Sequence, residues 1–347
     1  MFSETKIKTK SILEKYFGDV PLNSFRIDKM SLGICNETYK VNCKKDNFVL
    51  QKLNNMALAD LMRDFIFLSQ ELNGLGWNVP VLLKSSSALN FIEDNNNIWR
   101  IYKFIPGKTI DELKTINYIS LGKLLAELHR DLKKINYYPH FSIPNFHNSI
   151  FFINSLKKIF RRLKDKELIS IAKKIIKAYN HSNNISSKKV QLIHGDPRTE
   201  NYLFNTQGEA FSIIDFDTFM RGSIFIDIGD LLRSISLSEN QTNSTFSESR
   251  IEDTLAGYLS ANKIKDNKKF IVDAIDGMKQ ITLELCSRFL IDVIENKYFG
   301  WDSEKYKSRR ENNTIRALAQ WKLFKETEKL NLNNLIQSVR IKANSLV

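Results

Sequence analysis

Cysteine is scarce in this chain. Three in 347 residues, Cys35, Cys43 and Cys286, with no Cys-x-x-Cys spacing, exclude a disulfide-stapled scaffold and a structural zinc site. They fit a reducing, cytosolic setting. Long apolar runs are missing too: none approaches the ~20 residues that span a bilayer. The opening "MFSETKIKTKSILEKYF" has no apolar core followed by a small-residue cleavage site, so no signal peptide is expected. There is no internal repeat, no low-complexity segment, and no RRM, KH or zinc-finger signature of a nucleic-acid binder.

What the chain does have is length, apolar material and positive charge. Its 347 residues are about twice a typical domain of ~150, so one large or two associated domains are expected. The hydrophobic content is 42%, ordinary for a globular protein. The net charge of +13 suits anionic company, whether nucleic acid, an acidic membrane surface or a phosphorylated small molecule. The excess is spread through lysine-rich helical stretches such as 153–179 and does not form a basic tail. A lysine-, asparagine- and isoleucine-rich genome would give the same balance. The expected partners therefore include neither nucleic acid nor a membrane, and nothing fixes the oligomeric state.

Hydrophobic patterning divides the chain. An opening helix at roughly 7–17 precedes strand-like segments over 25–54: "SFRIDKM", "ETYKVNC" and "NFVLQKLN". "MALADLMRDFIFLSQEL" repeats apolar residues at three- and four-residue spacing, which predicts a helix over 57–73 closed by Gly74 and Gly76. "VPVLLKS", "ALNFIED" and "IWRIYKFI" read as further strands. After a hinge near 104–109, with "PGKT" at 106–109, nearly everything reads as helix except 190–217. A strand-rich front part with one helix thus precedes a larger helical part carrying one small β island.

The island holds "QLIHGDPRTENYLF" (191–204) and "FSIIDFD" (211–217). Asp196, Asn201 and Asp215 sit at the ends of adjacent short strands. Phosphoryl transfer from ATP uses such a set: a carboxylate to orient the acceptor hydroxyl, and a second carboxylate plus an amide oxygen to hold Mg2+, a hard cation that bridges the phosphates. The order Asp-x4-Asn, later strand, Asp follows the protein-kinase template. An Asx-turn and a capping aspartate are the plain structural alternatives. Lys52, on the third strand, can reach the phosphates of a bound nucleotide; as an isolated feature it is an ordinary strand lysine. The turn "SLGICNET" (31–38) offers Gly33, Asn36 and Thr38 as phosphate-covering candidates, and Phe104 is a further nucleotide candidate at the hinge. With a single glycine, this turn matches neither a P-loop nor the glycine-rich kinase loop.

"HGDPRTEN", "IIDFDTFMRG" and "DIGDLLRS" together resemble the aminoglycoside phosphotransferase and choline kinase-like superfamily of small-molecule kinases. "ICNETYKV", "FVLQKLN", "ITLELCSRFLIDVIENKYF" and "IRALAQWKLFKETE" resemble its N-acetylhexosamine 1-kinase-like branch. The likeness spans roughly residues 20–330. It implies an α+β, bilobal, protein-kinase-like fold: a small antiparallel sheet with one helix (1–105), then a larger, mainly helical lobe with the catalytic loop, metal site and acceptor pocket (106–347). It implies a cytoplasmic kinase using ATP and Mg2+ to phosphorylate a small-molecule hydroxyl, that of an N-acetylhexosamine or related sugar. Homoserine, choline, a thio-sugar or an aminoglycoside are alternative acceptors, and a non-catalytic nucleotide-binding pseudokinase is the alternative of another class.

Carried over by the resemblance, Asp196 is the catalytic base, Asn201 and Asp215 are Mg2+ ligands, Lys52 binds phosphate, His194 is structural, and Asp227 braces the catalytic loop. The family's glutamate partner for the lysine is not evident, since "LADLMRDF" offers Asp60, Arg63 and Asp64, with Glu71 further along. Asp217 completes an Asp-x-Asp pattern; it serves the metal, a sugar hydroxyl or a turn cap. Arg221 and Gly222 fall in an expected loop. Arg233 serves a bound phosphate or sugar, or pairs with Asp230 at three-residue spacing. Glu284, Arg288 and Asp292 recur every four residues on one helix face. They form either a solvated ion-pair stripe or a polar wall of the acceptor pocket. His129, among apolar helix residues, reads as a buried structural histidine. Tyr298, Phe299 and Trp301 read mainly as packing.

Overall fold

The computed structural model describes residues 2–18, 20–21, 24–30, 36–43, 46–53, 58–94, 97–236, 245–262, 264 and 266–347. The chain separates into two compact units, Met1–Pro106 and Gly107–Val347.

The first unit opens with helix α1 (Phe2–Phe17) and continues through β1 (Phe25–Met30), β2 (Glu37–Cys43), β3 (Asp46–Leu53), α2 (Leu58–Gly74), β4 (Ile92–Asp94) and β5 (Asn97–Lys103). The strands form one antiparallel sheet in the order β1-β2-β3-β5-β4. Strand side chains alternate between faces, so pairing register decides each residue's side. One face carries Tyr39, Val41, Phe48, Leu50, Trp99 and Ile101, which pack with Ile12, Leu13 and Tyr16 of α1. The other carries Thr38, Gln51 and Arg100, and there the Arg100 guanidinium lies 4.2 Å from the centre of the Phe65 ring on α2.

"VPVLLKS" is not a strand. Pro80 offers no N–H to a ladder, and the segment meets β5 through a bridge from Leu82 to Tyr102 and a bond from Leu83 N to the Ile101 carbonyl, 2.8 Å. These fall on the β5 edge that the three-residue β4 leaves uncovered.

The second unit runs α3 (Tyr118–Leu132), α4 (Ser149–Ile159), α5 (Lys166–Asn180), β6 (Val190–Ile193), β7 (Tyr202–Phe204), β8 (Ala210–Ile213), β9 (Met220–Ser223), α6 (Ile224–Ser236), α7 (Glu248–Ala261), α8 (Asn267–Glu295), α9 (Arg309–Glu328) and α10 (Leu332–Ser345). Side-chain caps set several helix starts: Asn117, Asn148 and Asp165 accept from backbone N–H groups of the first turns of α3, α4 and α5. Residues 133–148 are irregular where helix was expected; Pro139 and Pro144 interrupt any helix there. The island comprises two antiparallel ribbons, β6 with β9 and β7 with β8. Arg221 and Gly222, expected in a loop, lie in β9 opposite Leu192 and Gln191. Helix α8 is buried on nearly every side, with α5 and α9 contributing to the core around it. Among the described residues, no helix is long and apolar enough to cross a membrane.

Candidate active site

The loop after β6 is fixed from beneath by Asp227 of α6. Its carboxylate accepts from the backbone N–H of His194 (2.8 Å) and of Gly195 (2.9 Å), and it faces His129 Nε2 at 3.0 Å. The other His129 nitrogen meets the Tyr258 hydroxyl at 2.8 Å, which makes this histidine buried and structural. Burial alone would raise the Asp227 carboxyl, but His129 and these donors hold it below its ordinary value. His194 is fully buried. Its Nε2 donates to the Ile214 carbonyl (3.0 Å) and its Nδ1 accepts from Asp196 N (3.3 Å). Burial pushes its pKa down, so the ring is neutral and orients the loop.

Gly195 has φ +88°, and a Cβ there would lie 2.3 Å from the Thr218 carbonyl oxygen, so only glycine fits. This presents Asp196. Asn201 Nδ2 donates to the Asp196 carbonyl at 2.8 Å, leaving the amide oxygen of Asn201 as the atom that can meet a cation. The Asn201 carbonyl accepts from Ile214 N at 2.8 Å, which brings Asn201 beside Asp215. Asp215 stands in the left-handed region (φ 70°, ψ 64°). That conformation is costly for a non-glycine residue and concentrates at functional sites. Asp217 follows in a short 3-10 turn, half-buried.

The Asp196 carboxyl is pushed up to about 7. Burial is the largest cause and the charge of Asp230 the next; Arg198 opposes them, Asp215 adds to the rise and Arg233 opposes it. Arg233 is fully buried, with Nε 2.8 Å from Asp230 Oδ1, the intrahelical pairing of the two alternatives. Among the described residues, no group of three or more His, Cys, Asp or Glu stands ready to hold a metal. Asn201 and Asp215 supply two hard oxygens, the donor type and number with which Mg2+ is commonly held when phosphates and water complete its shell.

Glu284, Arg288 and Asp292 share one face of α8, and all three are buried, so no solvated stripe exists. Glu284 Oε2 accepts from Ser149 Oγ (2.6 Å); its Oε1 lies 3.6 Å from His147 Nδ1 and 3.7 Å from Arg288 Nη1. Arg288 also donates to the Tyr298 hydroxyl at 3.1 Å. Asp292 accepts from the backbone N–H groups of Lys297, Tyr298 and Phe299 and from Asn313 Nδ2, which ties down the turn after α8.

His147 carries no signal in the local sequence. It lies in the irregular segment at φ 55°, and its Nε2 donates to the Gly195 carbonyl. Burial would lower its pKa, but Glu284 raises it overall. Charge compensation thus runs from α8 to the residue preceding Asp196.

In the first unit, Lys52 Nζ pairs with Glu37 Oε1 at 2.6 Å. Glu37 stands directly across from it on β2 and is held by the Tyr39 hydroxyl at 2.7 Å. Burial would raise the Glu37 carboxyl, but the bonds from Lys52 and Tyr39 bring it below its ordinary value. The lysine thus pairs with a strand residue and not with one of the α2 acids. Cys43 pairs with Asp46; following the antiparallel register from there pairs Lys52 with Glu37, so the sequence held the signal. Thr38 accepts from Gln51 Nε2 at 3.3 Å, and Phe104 carries the Lys40 ammonium 4.2 Å from its ring centre. Asn36 lies in the bend before β2. Gly33 lies outside the described residues.

Solved structures share the architecture. A microcompartment-associated aminopropanol kinase aligns with TM-score 0.62 at 15% identity, over 94% of this chain and 99% of its own. A choline kinase from Cryptosporidium parvum Iowa II aligns with TM-score 0.64 at 14% identity, over 98% and 99%. Wild-type aminoglycoside 2'-phosphotransferase-IIIa, solved with GDP, aligns with TM-score 0.60 at 16% identity, over 92% and 99%. At these identities the likeness is one of fold, a small antiparallel sheet joined to a mainly helical part. Residues 27–263, about two thirds of the chain, match the phosphotransferase enzyme family, and the chain belongs to that family.

Proposed function

We propose that this protein transfers the γ-phosphate of ATP to a hydroxyl of a neutral small molecule, the 1-hydroxyl of an N-acetylhexosamine or a related sugar. The observation that carries the reading is the Asp196 loop. A carboxyl with pKa about 7 sits beside two hard oxygen donors, on a backbone locked by Asp227 and His194.

Asp196 accepts the hydroxyl's hydrogen bond, aligns the oxygen for in-line attack and takes its proton as the bond to phosphorus forms. A base with that pKa matches neutral solution. Mg2+ held by Asn201 and Asp215 would supply charge neutralisation at the phosphates. The rest is positioning and fixed electrostatics. Asp217 adds a carboxylate next to this set, in reach of a sugar hydroxyl.

Charge favours a sugar over the cationic acceptors named for the choline, aminopropanol and aminoglycoside kinases that share the fold. Glu284 is compensated by His147 and Arg288, so the cluster attracts no further cation. Its carboxylate and guanidinium suit vicinal hydroxyls. Homoserine and the cationic acceptors form the competing reading, and a nucleotide-binding module without catalysis forms another.

The test is incubation with Mg-ATP and N-acetylglucosamine, N-acetylgalactosamine, glucose, galactose, homoserine, choline and kanamycin, with ADP release and product mass as readouts. A phosphosugar is expected. Phosphocholine or phosphokanamycin alone would sink the charge argument, and Mg-ATP binding without any product would leave the non-catalytic reading.

A further inference from the structure

The peptide that carries Asp196 is gripped at both ends by a histidine. Its N–H, from Asp196, donates to Nδ1 of His194 at 3.3 Å. Its carbonyl, from Gly195, accepts from Nε2 of His147. The two rings meet different surroundings. His194 faces one donor and one acceptor, the Asp196 N–H and the Ile214 carbonyl, which a neutral ring satisfies. His147 faces two acceptors: the Gly195 carbonyl and, 3.6 Å from Nδ1, Oε1 of Glu284. Burial would raise the Glu284 carboxyl, but His147, Arg288 and Ser149 hold it below its ordinary value, so it is ionised. Two oxygens that only accept call for a proton on each ring nitrogen, and His147 is an imidazolium.

The pair is enclosed. The His147 side chain is 7% exposed and that of Glu284 1%, and neither Nδ1 nor Oε1 has a hydrogen-bond partner among the described residues. Each charge therefore depends on the other, with Arg288 Nη1 3.7 Å from the same oxygen. Glu284 is anchored in turn: its Oε2 accepts from Ser149 Oγ at 2.6 Å, and Ser149 accepts from Gln280 Nε2 at 3.3 Å. His147 reaches its place at φ 55°, its ring 4.0 Å from that of Phe146 between centres. A left-handed backbone is costly for a residue with a Cβ and persists where the surroundings impose it. Gly195, without a Cβ, restrains its own peptide least of all residues. Asp227 ties the N–H groups of His194 and Gly195, and His147 ties the carbonyl that follows.

We propose that His147 is a positioning residue for phosphoryl transfer: as an imidazolium balanced by Glu284, it fixes the carbonyl end of the Gly195–Asp196 peptide and thereby the direction in which Asp196 presents its carboxylate. This rests on the kinase reading above. A charged donor makes a hydrogen bond roughly twice as strong as a neutral one, which suits a tie on so free a peptide. The charged groups around the pair are Glu284 and Arg288 on α8 and Asp230 on α6.

The experiment compares the parent with His147→Phe, which keeps a ring and removes the donor, and His147→Gln, which restores an N–H toward the carbonyl. Steady-state kinetics at varied Mg-ATP and varied acceptor are paired with melting temperature, and the histidine rings of the parent are titrated by 15N NMR, with His147→Gln giving the assignment. His147→Phe should lower kcat by about 100-fold, the loss that a shift of about 1 Å in a reacting group brings, at an unchanged KM for Mg-ATP. His147→Gln should recover a large part of kcat. The His147 ring should titrate above the ordinary 6.5. A His147→Phe that melts and turns over like the parent overturns the assignment; so does a His147→Gln no faster than His147→Phe at equal melting temperature. A His147 midpoint below 6.5 overturns it as well, and because this is read on the parent it decides even where a variant fails to fold. A parent protein that phosphorylates none of the acceptors defeats the functional reading itself and the assignment with it, whereas an active parent indifferent to His147 defeats the assignment alone.

Discussion

At the scale of single residues, the consequences centre on Asp196. Its carboxyl titrates at about 7 instead of the ordinary 3.8. It must be ionised to accept a proton, so kcat/KM for the acceptor should climb as pH rises through about 7. An acid limb centred below pH 5 in initial-rate profiles would contradict this. The same shift has a stability cost with a defined sign. The folded state binds the proton more tightly than the unfolded chain, so the stabilising contribution is full below the ordinary pKa and is lost as pH rises through about 7. Asp196→Asn should therefore raise the melting temperature more at pH 8 than at pH 5, which differential scanning calorimetry checks; an equal change at both pH values would refute it. That Asp196, Asn201 and Asp215 come together was legible because their grouping is carried in local spacing. His147 was not, because its meaning lies in contacts 48 residues away to Gly195 and 137 away to Glu284. Asp292 was legible as a face-sharing residue but not as the acceptor of three backbone bonds, which depends on the turn that follows α8.

At the scale of elements, α6 carries Asp227, Asp230 and Arg233, and it meets α8 backbone to backbone. A Cβ on Gly229 would lie 2.4 Å from the Gly277 carbonyl carbon, and one on Gly277 would lie 2.1 Å from the Phe225 carbonyl oxygen. Gly229→Ala must push the helices apart. Overpacking of this kind costs about 1–3 kcal/mol, and here it also displaces the brace beneath the catalytic loop. We expect a lower urea midpoint together with reduced kcat. An unchanged midpoint would mean that the crossing is looser than the structure has it. The helices themselves were readable from apolar spacing and caps, and the first three strands from alternation. Sheet faces were harder. That Lys52 and Gln51 point opposite ways follows from pleat geometry, but which way matters depends on where α1 and α2 land. "VPVLLKS" misleads because its apolar residues cover an edge without a ladder, and "MRGS" is hidden because glycine and arginine mask a strand defined by its pairing with β6.

At the scale of the whole molecule, the net charge of +13 says little about the acceptor; under the proposed reading it is the local balance of His147, Glu284 and Arg288 that decides. A nucleotide that binds only the folded chain adds to its stability. At free Mg-ATP about 100 times its Kd, linkage adds about 2.7 kcal/mol, visible as a rise in melting temperature. A melting curve indifferent to Mg-ATP would contradict nucleotide use. The central claim is that Asp196 drives phosphoryl transfer, and the most direct test is the rate of ADP and phosphosugar formation by parent and Asp196→Asn at saturating Mg-ATP and acceptor, with nucleotide affinity measured on both. The expected result is a fall of about 100- to 10,000-fold in kcat, the span of general-base catalysis, at closely similar nucleotide affinity. A variant that turns over like the parent would contradict it.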